Sequence, residues 1–445
     1  MFTLRKQKKI PNSSFRTNLN KGFAALFITI LVLVIFFGIV VSVTILTLGE
    51  QKISSNIVIS NQAYYAAEAG IEDALLRLAK SKNWSSPYNL SINDNAATVE
   101  ISDTIGGSRT ITANGNVKNR IRKVQTVYQI TANQISFHYG IQVGDSGLTM
   151  DGNARVYGNI FSNGPITGAS NTKIYGDAIS AGDTGTIESM EVSSSEGGGN
   201  VWAKNCEDSE IDGELHYTSK INCTAGSEYY HGPGDYVESQ DMPITAEQIN
   251  EWQNEAAAGG TISGYSLGGN DEDSLGPIKV DGDMNISSNA TLTVTGTIWV
   301  TGNLSLNSNA VIQLGPGYGS FSGMIVVGGK ITADSNVTLC GSEGYKGGRK
   351  CYSSVGSYLM LLSTNNSIDY NNPAIYATSN TKTAILYASD GLIRLSSNAK
   401  LRETTGYGIY MDSNAEVTYE VGLANSLFSA GPGGGWEVTS WQEIE

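Results

Sequence analysis

The stretch ISSNATLTVTG (residues 286–296) returns as LNSNAVIQLGP at 306–316, a Ser-Asn-Ala element leading each time into an alternating run. The element stands at Ser288-Asn289-Ala290, Ser308-Asn309-Ala310, Ser335-Asn336-Val337, Ser397-Asn398-Ala399 and Ser413-Asn414-Ala415. The separations are 20, 27, 62 and 16 residues. Ser379-Asn380-Thr381 lies inside the longest, which reads as three turns of about 20 residues. An earlier unit, NARVYG at 153–158, recurs as NTKIYG at 171–176. Asn tolerates the left-handed backbone of a tight corner, and its amide can bond to like residues stacked on it. Asn corners with short β runs between them therefore predict a parallel β-helix (solenoid), which is favoured over a sandwich. Ala290, Ala310, Ala399 and Ala415 are expected to point inward, where coils are crowded.

Working outward, this region spans 139–445, with a Ser/Gly-rich insert expected at about 182–273. The insert holds a short helix near Pro243–Trp252, N-capped by Thr245 with Gln248 three residues on. A second excursion, Gly341–Ser353, lies between Cys340 and Cys351. The tail from Gly431 through Trp436 and Trp441 is expected to cap the last coil. Before the repeats, residues 91–138 read as a small β region, with alternating runs at Ala97–Ser102, Thr110–Ala113 and Val124–Thr131. Gly106-Gly107 and Asn114-Gly115 are its expected turns. Residues 80–90 read as a linker.

The N-terminal part is of another kind. Phe23–Leu48, FAALFITILVLVIFFGIVVSVTILTL, contains no charge over 26 residues. About 20 suffice to cross a bilayer, and a signal peptide needs only about 7–15. Apolar residues then recur at Ile53, Ile57, Tyr64, Ala67, Ile71, Ala74, Leu75 and Leu78, one face of a helix. A single helix over 23–80 is about 87 Å long at 1.5 Å per residue. Its protruding apolar face requires a partner, either its own globular domain or neighbouring helices. The fold class expected is thus mainly β: a long transmembrane α-helix, a small antiparallel sheet, then a parallel β-helix with loop insertions.

Two motifs on this helix carry a family resemblance. Lys21-Gly22-Phe23, followed by an apolar helix, looks like a prepilin leader junction, and residues 1–22 look like its cationic leader. QAYYAAEAGIEDALLRL at 62–78 resembles the helix end of PilX-type minor pilins, whose pattern centres on A-x-x-A-A-E-A. The resemblance covers Lys21–Leu78 and implies cleavage between Gly22 and Phe23 by a prepilin peptidase, with methylation of the new N-terminus. It also implies other pilin subunits as partners of the helix. Major pilins carry Glu at the fifth mature position, where this chain has Phe27, a departure that fits a minor or tip subunit. The rival reading is an uncleaved signal anchor.

Charge sets the orientation and narrows the function. The first 21 residues hold Arg5, Lys6, Lys8, Lys9, Arg16 and Lys21 and no acid, so the −14 of the chain leaves −20 for the rest. The cationic flank places the N-terminus in the cytoplasm and the bulk outside. The acidic remainder repels phosphate backbones and speaks against nucleic acid as a partner. One later basic cluster stands out, Lys118, Arg120, Arg122 and Lys123, which strand alternation explains without a ligand.

The four cysteines suggest local disulfides, Cys206–Cys223 and Cys340–Cys351, in an exported chain. Zinc is the rival, but there is no CxxC pair and only His138, His216 and His231 accompany them. Asp281 and Asp283 around Gly282 form an incomplete calcium loop, and Asp271-Glu272-Asp273 reads as a solvated loop. His216 and His231 are placed on surface loops. No nucleophile elbow, phosphate loop or HExxH helix is present, so neither an enzyme nor a cofactor is implied. Tyr229, Tyr230 and Tyr236 favour display for adhesion to carbohydrate or protein. The first reading is a minor pilin of a type IV pilus or related filament, on the cytoplasmic membrane and then the cell surface, serving adhesion or assembly priming. The alternatives are a signal-anchored surface β-helix that binds or cleaves polysaccharide, and a purely structural envelope protein.

Overall fold

In a computed structural model, the described residues are 19–79, 86–92, 95–102, 108–130, 132–134, 137–169, 171–195, 198–352, 356–382, 385–420, 423–424, 426–429 and 436–444. The cationic residues of the leader up to Arg16, the Gly106-Gly107 turn and Gly431–Gly435 lie outside them. One helix, α1 (Leu19–Ala79), runs unbroken for 61 residues. The hydroxyls of its apolar run all bond back to the preceding turn: Thr29 to Leu26 O, Ser42 to Gly38 O, Thr44 to Val40 O and Thr47 to Val43 O, at 2.7–2.9 Å. Such internal satisfaction is what a hydrocarbon environment demands.

The second half of α1 lies on an antiparallel sheet of β1 (Tyr88–Ile92), β2 (Asn95–Ile101), β3 (Ser108–Val117), β4 (Arg120–Ile130) and a C-terminal strand, Trp436–Ile444. The tail therefore does not cap a coil. It crosses back to pair antiparallel with β4, Val438 opposite Tyr128 and Ile444 opposite Lys123. The expected Asn114-Gly115 turn is also corrected. Both residues lie inside β3, and the chain turns at Lys118 (φ 47°) and Asn119 (φ 64°). Gly115 serves another purpose: a Cβ there would sit 1.9 Å from the carbonyl oxygen of Ala63. Glycine in the strand lets the helix backbone approach it, a use of glycine that competes with its use in turns.

Beyond Ile141 the region is β-rich and parallel. Strands stack in register at steps of 18 to 20 residues: Arg155, Lys173 and Glu191 in one column, Thr291 and Val311 in another. The path is not a simple march. The chain enters mid-stack at Ile141–Met150 and climbs to Thr224–Tyr230 at one end. It then crosses outside the ladders, restarts at the other end with Thr261–Leu267, and works back until Glu403–Met411 pairs with Ile141–Met150. The stretch 182–273, expected as an insert, keeps the ladder pairing up to Tyr230 and regains it at Thr261. Between them, α2 (Ala246–Ala258) carries the expected capping box of Thr245 and Gln248. Its Ile249 and Trp252 pack on an outer face of Met324, Val326, Met360, Leu362 and Tyr387.

The repeated asparagines form one column of corners. Asn270, Asn289, Asn309, Asn336, Asn380, Asn398, Asn414, Asn153 and Asn171 all have φ between 63° and 70°. Side-chain amides link neighbours, Asn289 to Asn270 and Asn309 to Asn289 at 2.9 Å, Asn336 to Asn309 at 3.0 Å. Ala290, Ala310, Ala399 and Ala415 behind them are fully buried. The 62-residue gap spans two steps rather than three, because Asn336 bonds directly to Asn380 and the backbone of Asn380 to Ser397. The first step is lengthened by two excursions, one of them clipped by a disulfide.

Candidate functional site

Close packing explains the small residues of the 62–78 motif. Ala63, Ala66, Ala67, Ile71 and Ala74 are buried, and Ala67, Ile71 and Ala74 meet Val99, Ile111, Ala113 and Val124. A Cβ on Gly70 would lie 2.9 Å from Val99 Cγ2. The alanines thus seat the helix on its own sheet. At the helix end, Asp73 accepts from Arg77 Nε at 2.6 Å and Tyr88 Oη at 2.8 Å, tying β1 to α1.

The other half of α1 has no such cover. From Phe23 to Leu48 every residue is exposed, and Ile53 and Ile57 remain so beyond it. The segment is long and apolar enough to cross a membrane. The junction Lys21-Gly22-Phe23 lies in the helical backbone, and Phe23 and Phe27 both stand in the exposed run. Burying such side chains contributes about 1.5–3 kcal/mol each, so 26 uncovered apolar-run residues require a nonpolar partner, lipid or protein.

The comparisons with known proteins bear on this part of the chain. Residues 21–72 match the family model PilX N-terminal. The helix is a PilX-type segment. No curated protein matches the chain. Among solved structures, the competence-associated pilin ComZ from Thermus thermophilus is similar at 12% identity and a TM-score of 0.28, covering 87% of this chain and 97% of that one. At that score the likeness carries no argument about fold. The PilX-type match ends just before the residues that tie helix to sheet, Asp73 and Arg77.

The remaining candidates lie in the parallel region. Both disulfides join the expected partners, Cys206 with Cys223 and Cys340 with Cys351. Asp281 and Asp283 serve the stack: Asp281 accepts from Thr301 Oγ1 at 3.2 Å, and Asp283 accepts from the backbone N of Asn303 at 2.7 Å. Asp273 accepts from Tyr265 Oη at 2.7 Å, which, with the Ser274 amide, holds its carboxyl below the usual range. Among the described residues no three His, Cys, Asp or Glu converge to hold a metal.

The placement of His216 is corrected. It sits in the strand Glu210–Tyr217, half-buried and stacked between Trp202 (5.0 Å) and Tyr229 (4.8 Å) on neighbouring strands. His231 follows the last ladder strand. Its Nε2 lies 3.0 Å from His216 Nδ1, with Glu214 and Asp235 at the outer nitrogens at 3.3 and 3.1 Å. Three ring protons satisfy all three contacts, so the pair is matched to a single positive charge. A cavity of about 170 Å³ opens here, lined by Trp202, His216, Tyr217, His231, Asp235 and Tyr236. Sequence reading missed this cluster because its members are 13 to 29 residues apart, and only the parallel register aligns them.

Proposed function

We propose that this chain is a minor pilin-like subunit of a type IV pilus or related filament. Its bulk lies outside the cytoplasmic membrane, and its parallel region, read as a β-helix, serves adhesion or assembly priming. One observation carries the reading: a single helix is buried on its own sheet in its second half and uncovered over 26 apolar-run residues in its first. A bilayer covers that surface before assembly and neighbouring subunits cover it afterwards, which a plain anchor does not require. The PilX-type match lies on the same helix. A prepilin peptidase would act between Gly22 and Phe23. The Trp202–His216–Tyr229 cluster, at one end of the stack, supports the display role, offering aromatic edges and hydrogen-bonding nitrogens to carbohydrate or protein. A non-catalytic role is supported by Asp281 and Asp283 being engaged between coils.

The deciding measurement is the N-terminal mass of the chain from sheared surface filaments and from membranes. A methylated chain beginning at Phe23 in the filament fraction supports the proposal. A chain beginning at Met1 and confined to membranes overturns it.

A further inference from the structure

Contacts between α1 and the sheet descend the helix in order. Tyr88 meets Asp73, Gly115 faces Ala63, Arg122 Nε donates to Ser60 Oγ at 2.7 Å, and Arg120 Nη2 donates to Asn56 Oδ1 at 3.2 Å. Four residues of helix (about 6 Å) match two of strand (about 6.6 Å), so β4 runs along the helix axis. The β3–β4 turn is therefore the part of the sheet nearest the apolar run. Asn56 stands eight residues past Leu48, roughly 12 Å, and Lys118 two residues nearer than Arg120, leaving the turn roughly 6 Å from the end of that run. Headgroups occupy about this distance beyond the hydrocarbon.

The chemistry at the turn fits that place. Lys118, Arg120, Arg122 and Lys123 gather there in a chain whose net charge is −14. Strand alternation does not account for them, since Arg120, Ile121 and Arg122 are all exposed in succession. An apolar Ile121 between two exposed arginines adds nothing to the sheet's core. The carboxylates at this level are Glu50 on the helix and Glu443, which pairs with Arg122 at 2.9 Å. Beside the turn a groove of about 430 Å³ runs between helix and strand, with Ile53 and Ile57 as apolar lining and Arg120 and Arg122 as cationic rim.

We propose that the β3–β4 turn is a membrane-surface contact that binds anionic phospholipid. Arg120, Arg122 and Lys118 meet headgroup phosphates, and Ile121 enters the interface beside the groove. The contact holds the subunit upright on the bilayer before assembly. It rests on the membrane-anchored reading above, and its test reads lipid charge rather than filament assembly, so the two fail separately.

The test uses the full chain with a nitroxide at Asn119→Cys, the other four cysteines being paired. The chain is reconstituted in phosphatidylcholine vesicles with or without roughly a third phosphatidylglycerol. Accessibility of the label to an aqueous nickel chelate is expected to fall several-fold in the anionic vesicles. The protection is expected to vanish in about 1 M salt and in the Lys118→Glu, Arg120→Glu variant. The salt arm needs no variant. Equal accessibility in both vesicles overturns the contact, as does protection that survives salt. A chain that floats with neither vesicle overturns the anchored reading itself.

Discussion

The antiparallel sheet and the parallel stack both bring backbones unusually close, by opposite means. On the sheet, closeness depends on single positions: Gly115 beneath Ala63, and Gly70 against Val99. In the stack it is distributed over a column of left-handed asparagines, each bonded to the next, with small or β-branched residues buried behind. The sheet is thus a jigsaw that one methyl group breaks. The stack is quasi-one-dimensional, and a defect in one coil is shared with its two neighbours only.

Four substitutions break or sharpen that comparison. The largest loss is expected where the stack departs from its own rule, at the non-repeating cover of α2. Trp252 is fully buried there, and Trp252→Ala should cost about 3–5 kcal/mol, read as the midpoint shift in denaturant. Next, Gly115→Ala places a methyl against the Ala63 carbonyl. It should cost about 3 kcal/mol and increase hydrogen exchange in residues 63–78 and β3, leaving the stack protected. Protection lost everywhere would mean that sheet and stack unfold as one unit. In the stack, Asn309→Ala keeps φ near 64° without an amide and should cost about 1–2 kcal/mol, with Asn309→Gly recovering most of it. A cost as large as that at Gly115 would refute the distributed view.

The last is a gain. Glu403 is fully buried beside the outer-face cluster, accepting from Thr405 Oγ1, and desolvation pushes its carboxyl well above the ordinary range. With its folded value raised, its contribution is fully present below the ordinary carboxylate range and is lost as pH rises through the raised value. Glu403→Gln removes the ionisation, so its gain in Tm should be larger at pH 8 than at pH 5. A gain independent of pH would mean that Glu403 stays neutral throughout.

Particular residues show how far the sequence could be read. The Ser-Asn corners were legible because Asn is favoured wherever φ is positive, and that preference is local. The apolar run was legible because hydropathy is summed residue by residue. The disulfides were legible because their loops are short. The 62-residue gap was misread because a period does not reveal where a coil has been lengthened. Gly115 was misread because Asn-Gly is the residue pair of a turn and also, here, the gap that admits a helix.

By itself the sequence determined the long uncharged helix, the positive-φ corners and the inward-facing small residues, all consequences of local backbone and solvation preferences. Only the tertiary structure decided that the stack is entered from its middle, and that the C-terminal strand returns more than 300 residues to β4. It alone placed His216 between Trp202 and Tyr229, and the basic turn beside the exit of the apolar run. These depend on which distant strand lies alongside which. Parallel pairing between coils is sequence-tolerant, and their register is settled by the packing of the whole core rather than by any one stretch.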